Sequence, residues 1–184
     1  MSPAVLARIE QTFWSRGSTR DVWAVLDGAR DRRIYGFLLD SYLNYSCLYA
    51  GALHPDLEVA APYLVQLDFE DRYARRLIEQ AWGNSWGIFL RADIRMERLR
   101  RHLRTFLVAL GPNGKRLVFR YYDPRVLRVY LPTCVPAELA TMFGPIDRFW
   151  TEAVQPDTLQ EFRFDRKSLI QSRVELAAAA EACG

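Results

Sequence analysis

Residues Thr105–Tyr122 read Thr-Phe-Leu-Val-Ala-Leu-Gly-Pro-Asn-Gly-Lys-Arg-Leu-Val-Phe-Arg-Tyr-Tyr. Two apolar runs, Thr105–Leu110 and Arg116–Tyr122, flank Gly111-Pro112-Asn113-Gly114. Glycine and asparagine tolerate the left-handed backbone that tight turns need, so this stretch predicts an antiparallel hairpin. Asp123-Pro124 follows directly. Aspartate as N-cap and proline at the first helical position start a helix through about Tyr130, which Pro132 ends.

Upstream, Asp93 is expected to cap a helix whose apolar stripe is Met96, Leu99, Leu103, Phe106 and Leu107. Its other side carries Arg95, Arg98, Arg101 and Arg104. A second helix is read from Ala74, Leu77, Ile78, Ala81 and Trp82, with Arg72, Arg75, Arg76 and Glu79 facing away, and Gly83-Asn84 stops it. Strands are expected at Val22–Leu26, Cys47–Ala50, Tyr63–Leu67 and Trp86–Arg91, a helix across about 30–43, and a loop around Gly51 to Pro62. Ser2 and Pro3 open an N-terminal helix with Val5, Leu6, Ile9 and Phe13 on one face, which Gly17 ends.

Downstream, Val135-Pro136 opens a short helix closed by Gly144-Pro145. Ile146–Ala153 and Leu159–Phe164 read as a strand pair around Gln155-Pro156-Asp157, and Ser168 to Glu181 as an alanine-rich helix. Helices alternate with strands while one hairpin is antiparallel. The expectation is therefore an α/β single domain with a mixed β-sheet containing an antiparallel hairpin, flanked by helices.

The chain has 184 residues, enough for one domain with its own core. Half the residues are hydrophobic and 13 % are aromatic, which excludes global disorder. The net charge of +3 is too small to demand a nucleic-acid partner, although all the basic residues but Lys115 and Lys167 are arginine. Cys47, Cys134 and Cys183 form no C-x-x-C and read as reduced thiols of a cytoplasmic protein. Arg8 and Glu10 interrupt the apolar N-terminus, so no signal peptide is expected, and no apolar run is long enough to span a membrane.

Catalytic chemistry is sparse. His54 and His102 are the two histidines, and neither has metal-ligand spacing around it. No G-x-S-x-G elbow, P-loop or G-x-G-x-x-G occurs. The densest polar group is Arg120-Tyr121-Tyr122-Asp123-Pro124-Arg125. Asp123 between arginines is a candidate general base, but a cap for the helix that Pro124 begins, paired to Arg120 or Arg125, already explains it. The arginine-rich helix, residues 94–104, allows a small nucleic-acid-binding module as an alternative, and Asp123 with a histidine allows a hydrolase. Against nucleic acid, Glu70, Asp71 and Glu79 lie on the neighbouring helix and no tryptophans interleave with the arginines. A solvated or acid-facing surface is favoured.

Several blocks, in order, resemble one family. They are Val22–Ala29, Ala61–Val65, Trp86–Phe89, His102-Leu103-Arg104, the Gly111–Gly114 turn, Phe119–Leu127 and Phe143-Gly144-Pro145. The chain resembles the type VI secretion effector chaperones, or adaptors, first described as a domain of unknown function. The resemblance covers about residues 20–150. It implies a non-catalytic protein without cofactor or metal that binds a toxin effector in the bacterial cytoplasm and helps load it onto the VgrG spike, often PAAR-tipped. Independently of the resemblance, the small net charge and the acidic neighbours of the basic helix lead to no nucleic-acid partner being expected. The most specific block of the resemblance makes Phe119, Arg120, Tyr122, Asp123, Pro124, Arg125 and Leu127 structural or partner-binding. The resemblance divides the chain into an N-terminal helix (1–19), the adaptor domain (20–150) and a short C-terminal extension (151–184). The terminal helices lie outside the matched blocks, so Val5, Ile9, Phe13 and Trp14 at one end and Leu169, Ile170 and Val174 at the other are the candidate effector-binding residues.

Overall fold

A computed structural model describes residues 1–15, 21–110, 113–155 and 157–177. Gly17, the Gly111-Pro112 half of the turn, Pro156, Cys183 and the alanine run from 178 lie outside the described residues.

Seven strands form one sheet. They are β1 (Val22–Asp27), β2 (Tyr45–Cys47), β3 (Pro62–Leu67), β4 (Gly87–Arg91), β7 (Arg148–Glu152), β8 (Thr158–Phe164) and β9 (Leu169–Glu175), in the order β2-β3-β1-β4-β7-β8-β9. The remaining two, β5 (Val108–Leu110) and β6 (Arg116–Val118), pair only with each other. The helices are α1 (Pro3–Phe13), α2 (Arg33–Asp40), α3 (Pro55–Val59), α4 (Arg72–Ala81), α5 (Met96–Arg104), α6 (Pro124–Tyr130) and α7 (Pro136–Phe143).

The expected α/β fold is present, with the sheet flanked by helices. The parallel component is not: every pairing among the described residues is antiparallel. The physical reason lies in burial. All six residues of β1 and all five of β4 are buried, because helices cover both faces of the sheet. Such continuous apolar strands are usual in parallel sheets, and here an antiparallel sheet has them.

Alternation in β1 sends Val22, Ala24 and Leu26 to one face and Trp23 and Val25 to the other. The first face is covered by Val5, Ile9 and Phe13 of α1, Ile34 and Leu38 of α2, and Ala74, Leu77 and Ile78 of α4. The second is covered by Leu99 and Leu103 of α5, Leu127 of α6, and Leu139, Met142 and Phe143 of α7. Two cores thus sandwich one sheet. Fully burying each such aliphatic side chain contributes about 1.5–3 kcal/mol.

Capping matches the residues where expected. Ser2 accepts from the Val5 amide at 3.3 Å and Asp123 from the Arg125 amide at 2.9 Å; Asp71, not read as a cap, accepts from the Tyr73 amide at 2.7 Å. Asp93 does not cap α5. The Ala92 amide still donates to the Asp21 carbonyl at 2.9 Å, so the chain remains strand-like there and the helix starts at Met96 with Arg95 as its cap. The loop around Gly51–Pro62 contains the one-turn helix α3. The strand expected at Cys47–Ala50 sits earlier, at Tyr45–Cys47.

Two expectations change more. The hairpin at the Gly111–Gly114 turn forms, pairing Val108 with Val118, but it stands off the main sheet as a separate ribbon. Its Val108, Leu117 and Val118 are exposed rather than core. The C-terminal helix is absent from its described part. Residues Leu169–Glu175 are instead the edge strand β9, paired residue for residue with β8. Asp165 explains the reversal: its Oδ1 accepts from the amides of Lys167 at 2.8 Å and Ser168 at 2.7 Å, closing a tight turn after β8. Pairing with β8 then makes Leu169–Glu175 a strand.

Candidate functional site

The Phe119–Leu127 block begins where the ribbon ends. The Phe119 amide donates to the Leu107 carbonyl at 3.0 Å, and its ring rests on Tyr130 at 4.6 Å, tying β6 to the end of α6. Tyr121 and Tyr122 turn into the second core. The Tyr121 hydroxyl donates to the Leu103 carbonyl at 3.0 Å, and its ring meets Tyr122 edge-on at 5.4 Å. Burial pushes both phenols up, out of any physiological titration. Pro124 and Leu127 are buried in α6.

Asp123 is buried, and both its oxygens are engaged. Oδ1 accepts from the Arg125 amide and Nε, each at 2.9 Å, and Oδ2 from Arg125 Nη2 at 2.6 Å. Burial pushes its carboxyl up, but the Arg125 bonds outweigh burial and hold it below the usual carboxylate value. Of the two arginines expected beside Asp123, Arg125 pairs with it and Arg120 does not.

Arg120 reaches Asp27 at the end of β1, Nε to Oδ2 at 3.1 Å, with Nη2 on the same oxygen. Asp27 is 1 % exposed, and its Oδ1 has no hydrogen-bond partner. Burial is the larger influence and pushes its carboxyl up, while Arg120 pulls the other way without cancelling it. No substrate reaches a carboxylate so enclosed.

Other resembling blocks converge here. The Asp27 amide donates to the Trp86 carbonyl at 2.7 Å, and the Gly28 amide to the Ala61 carbonyl at 3.1 Å. A Cβ on Gly28 would lie 2.5 Å from that Ala61 oxygen, and one on Gly87 would lie 2.1 Å from the Val25 oxygen. Glycine is required at both positions by close approach of backbone. Blocks scattered through the sequence are therefore one joint between β1, β3, β4 and the turn into α6. Asp27, the partner of Arg120, enters the sequence reading only as part of the Val22–Ala29 block, and nothing in its local spacing points to Arg120.

The histidines have structural places. His102 Nε2 lies 3.1 Å from the Met142 carbonyl, and its ring fills the space a Cβ on Gly144 would need, 2.4 Å from Cε1. Burial lowers its pKa. His54 Nδ1 accepts from the Asp56 amide at the start of α3. Among the described residues no cluster of three or more histidines, cysteines or carboxylates could hold a metal. No helix there is long and apolar enough to cross a membrane.

The candidate effector-binding residues are placed as follows. Val5, Ile9, Phe13 and Trp14 are buried, and Phe13 stacks on Trp150 at 4.6 Å. They form core, not an open face. Leu169, Ile170 and Val174 are half-buried on β9, where Leu169 packs toward one core and Val174 toward the other. Exposed apolar side chains are spread over the surface, at Leu39, Tyr42 and Val154 as well as at Leu117 and Val118 on the ribbon and Val129 and Val135 around α6.

A family model described as "Domain of unknown function (DUF4123)" matches residues 22–141, from β1 into α7. No curated protein and no solved structure matches the chain.

Proposed function

The chain belongs to the DUF4123 family, and from that premise we propose that it is a non-catalytic adaptor of the type VI secretion system. In this reading it binds a toxin effector in the bacterial cytoplasm and helps load it onto the VgrG spike, with or without a PAAR tip. The observation that carries the reading is the family match itself, which spans all but the last, Phe143-Gly144-Pro145, of the ordered blocks that resemble effector adaptors. The site geometry supports it. Asp123, the candidate general base, is enclosed and committed to Arg125, and the buried Asp27 is committed to Arg120. The uncovered apolar side chains at Leu117, Val118, Val129 and Val135 offer contact surface that the chain does not use itself.

Deleting the gene and following secretion tests the proposal. Delivery of one toxin should stop while other type VI cargoes still leave the cell, and the purified chain should hold that toxin. Loss of all cargo would make the protein a core part of the machine. Loss of none would end the adaptor reading.

A further inference from the structure

The positive charge of this protein is concentrated in one element. Residues 95–104 carry Arg95, Arg98, Arg100, Arg101 and Arg104 against Glu97 alone, a net +4, whereas the whole chain has a net +3. The remainder is slightly acidic. Several arginines elsewhere pair with carboxylates of this chain, among them Arg33 with Asp31, Arg75 with Glu10, Arg125 with Asp123 and Arg148 with Glu161. Among the described residues others, such as Arg72 and Arg76 of α4, do not, and none of those stands in a row of such density. Among the described residues, Arg100 is the arginine of α5 whose side chain has hydrogen-bond partners, and these are backbone. It donates to the carbonyls of Cys47 at 2.7 Å and Tyr49 at 3.1 Å, closing the edge of the sheet at β2. Arg95, Arg98, Arg101 and Arg104 make no ion pair among the described residues.

Two grooves flank this helix. One, of about 580 Å³, is lined by Ser46, Met96, Glu97, Arg100, Arg101 and Arg104. The other, of about 560 Å³, is lined by Arg98 and Arg101 together with His102 and Pro145. Arg101 belongs to both and stands on the ridge between them. Guanidinium forks match carboxylates in a bidentate manner, so an unpaired row of them beside an open groove is complementary to an acidic chain.

We propose that this face of α5 docks an acidic segment of a partner protein. The segment's carboxylates pair with Arg98, Arg101 and Arg104, and an apolar side chain rests on Met96. A polypeptide is favoured over nucleic acid by two features. Glu97 lies in the first groove beside Met96, where a peptide can place an apolar residue between its carboxylates but a nucleic acid carries a phosphate at every step. The nearby aromatic, Phe106, is held edge-on by His102 at 5.0 Å and Tyr121 at 5.8 Å, so it offers no stacking platform. The proposal rests on the adaptor reading only for what the partner does, not for the chemistry that recognises it.

The test uses the full chain and a fluorescein-labelled peptide of glutamates interspersed with leucines, followed by anisotropy. Binding should saturate, weaken as salt rises, and fall about tenfold or more in Arg98→Glu/Arg101→Glu. Both side chains are exposed, so the variant should melt with the wild type. Charge reversal on another helix, Arg72→Glu/Arg76→Glu, should leave the affinity unchanged. No saturable binding, or an equal loss in the α4 variant, would overturn the proposal. So would an oligothymidylate that binds this face more tightly than the peptide. A wild-type chain that holds no toxin yet binds the peptide as described would remove the adaptor reading and leave this site standing.

Discussion

Arg120 donates through Nε to Asp27 Oδ2 at 3.1 Å, joining residues 93 positions apart in the chain. The pair is asymmetric: Asp27 is 1 % exposed, while the Arg120 side chain is 41 % exposed. Removing the arginine strands a carboxylate that water cannot reach, which is the expensive half of any buried pair. Arg120→Ala should therefore destabilise the fold by roughly 1–3 kcal/mol, the exposure of Arg120 keeping the cost below that of a fully enclosed pair. Asp27→Asn/Arg120→Ala should recover part of that loss in urea unfolding, because the stranded charge is gone. A double variant no more stable than Arg120→Ala would show that Asp27 carries no such burden.

The pH dependence separates the aspartates by sign. Hydrogen bonds from Arg33, the largest influence, and from Trp86 hold the Asp31 carboxyl at about 2 against an ordinary 3.8, outweighing burial, which pushes it up. Asp123 is also held low. Each group takes up protons in the unfolded chain before the folded one, so its contribution is present above the ordinary value and is lost as pH falls through the folded one. Asp27 acts in reverse. Its raised value means the folded state binds the proton first, so its contribution declines as pH rises from the ordinary value through the folded one. Thermal melts across the acid range should show Asp31→Ala losing less stability than the wild type between about pH 4 and pH 2. Parallel curves would remove Asp31 from the account.

Asp123 tests the cap. Asp123→Ala removes the acceptor of the Arg125 amide and should cost roughly 0.5–2 kcal/mol. Asp123→Asn keeps an acceptor and should cost less. A thermal melt reads both. Turnover abolished with stability untouched would instead assign Asp123 to catalysis.

How much of this was legible in the sequence depended on the range of the forces involved. Ala74, Leu77, Ile78 and Ala81 announce α4 because helix period and burial coincide within ten residues. Ser2 and Asp123 announce helix starts because a cap acts on an amide two or three residues away. The segment Leu169–Glu175 was misread because its strand is made by pairing with β8, while the alanines beyond it have helix propensity of their own. The ribbon was legible as a hairpin, but its place off the sheet was not, since the turn fixes pairing and says nothing of packing. The Asp27–Arg120 joint is the extreme case: no local rule connects two residues that meet only after the sheet has assembled.

Glycines at the same joint give opposite expectations from one elsewhere. Gly87→Ala would put a Cβ 2.1 Å from the Val25 carbonyl oxygen, and backbone cannot step aside as a side chain can. Overpacking of this kind costs about 1–3 kcal/mol or more. Gly36 lies inside α2 with nothing within 4 Å of the added carbon. Gly36→Ala should stabilise by about 0.5–1 kcal/mol through helix propensity. Two melts, one falling and one rising, check the pair. A Gly87→Ala variant as stable as wild type would mean that β1 and β4 sit farther apart than described.

Ile9 and Val174, both candidates for holding a toxin, separate on burial. Ile9 is 0 % exposed between α1 and the sheet. Ile9→Asp buries a carboxylate with no partner and should cost more than about 3 kcal/mol, so the fold fails before any cargo contact is at issue. Val174 is half-buried on the edge strand β9, where one side of the strand has no neighbour within the sheet. Val174→Asp should cost about 1–2 kcal/mol, since only part of its apolar area is withdrawn from water. Circular-dichroism melts and co-purification with the toxin, run on both variants, distinguish packing from docking. Toxin loss in Ile9→Asp should track the unfolded fraction. Toxin loss in a folded Val174→Asp would place cargo on β9, and toxin retained there would direct the search to α5 and the ribbon. An Ile9→Asp protein that melts with the wild type would contradict the burial of α1 and return that helix to the docking surface.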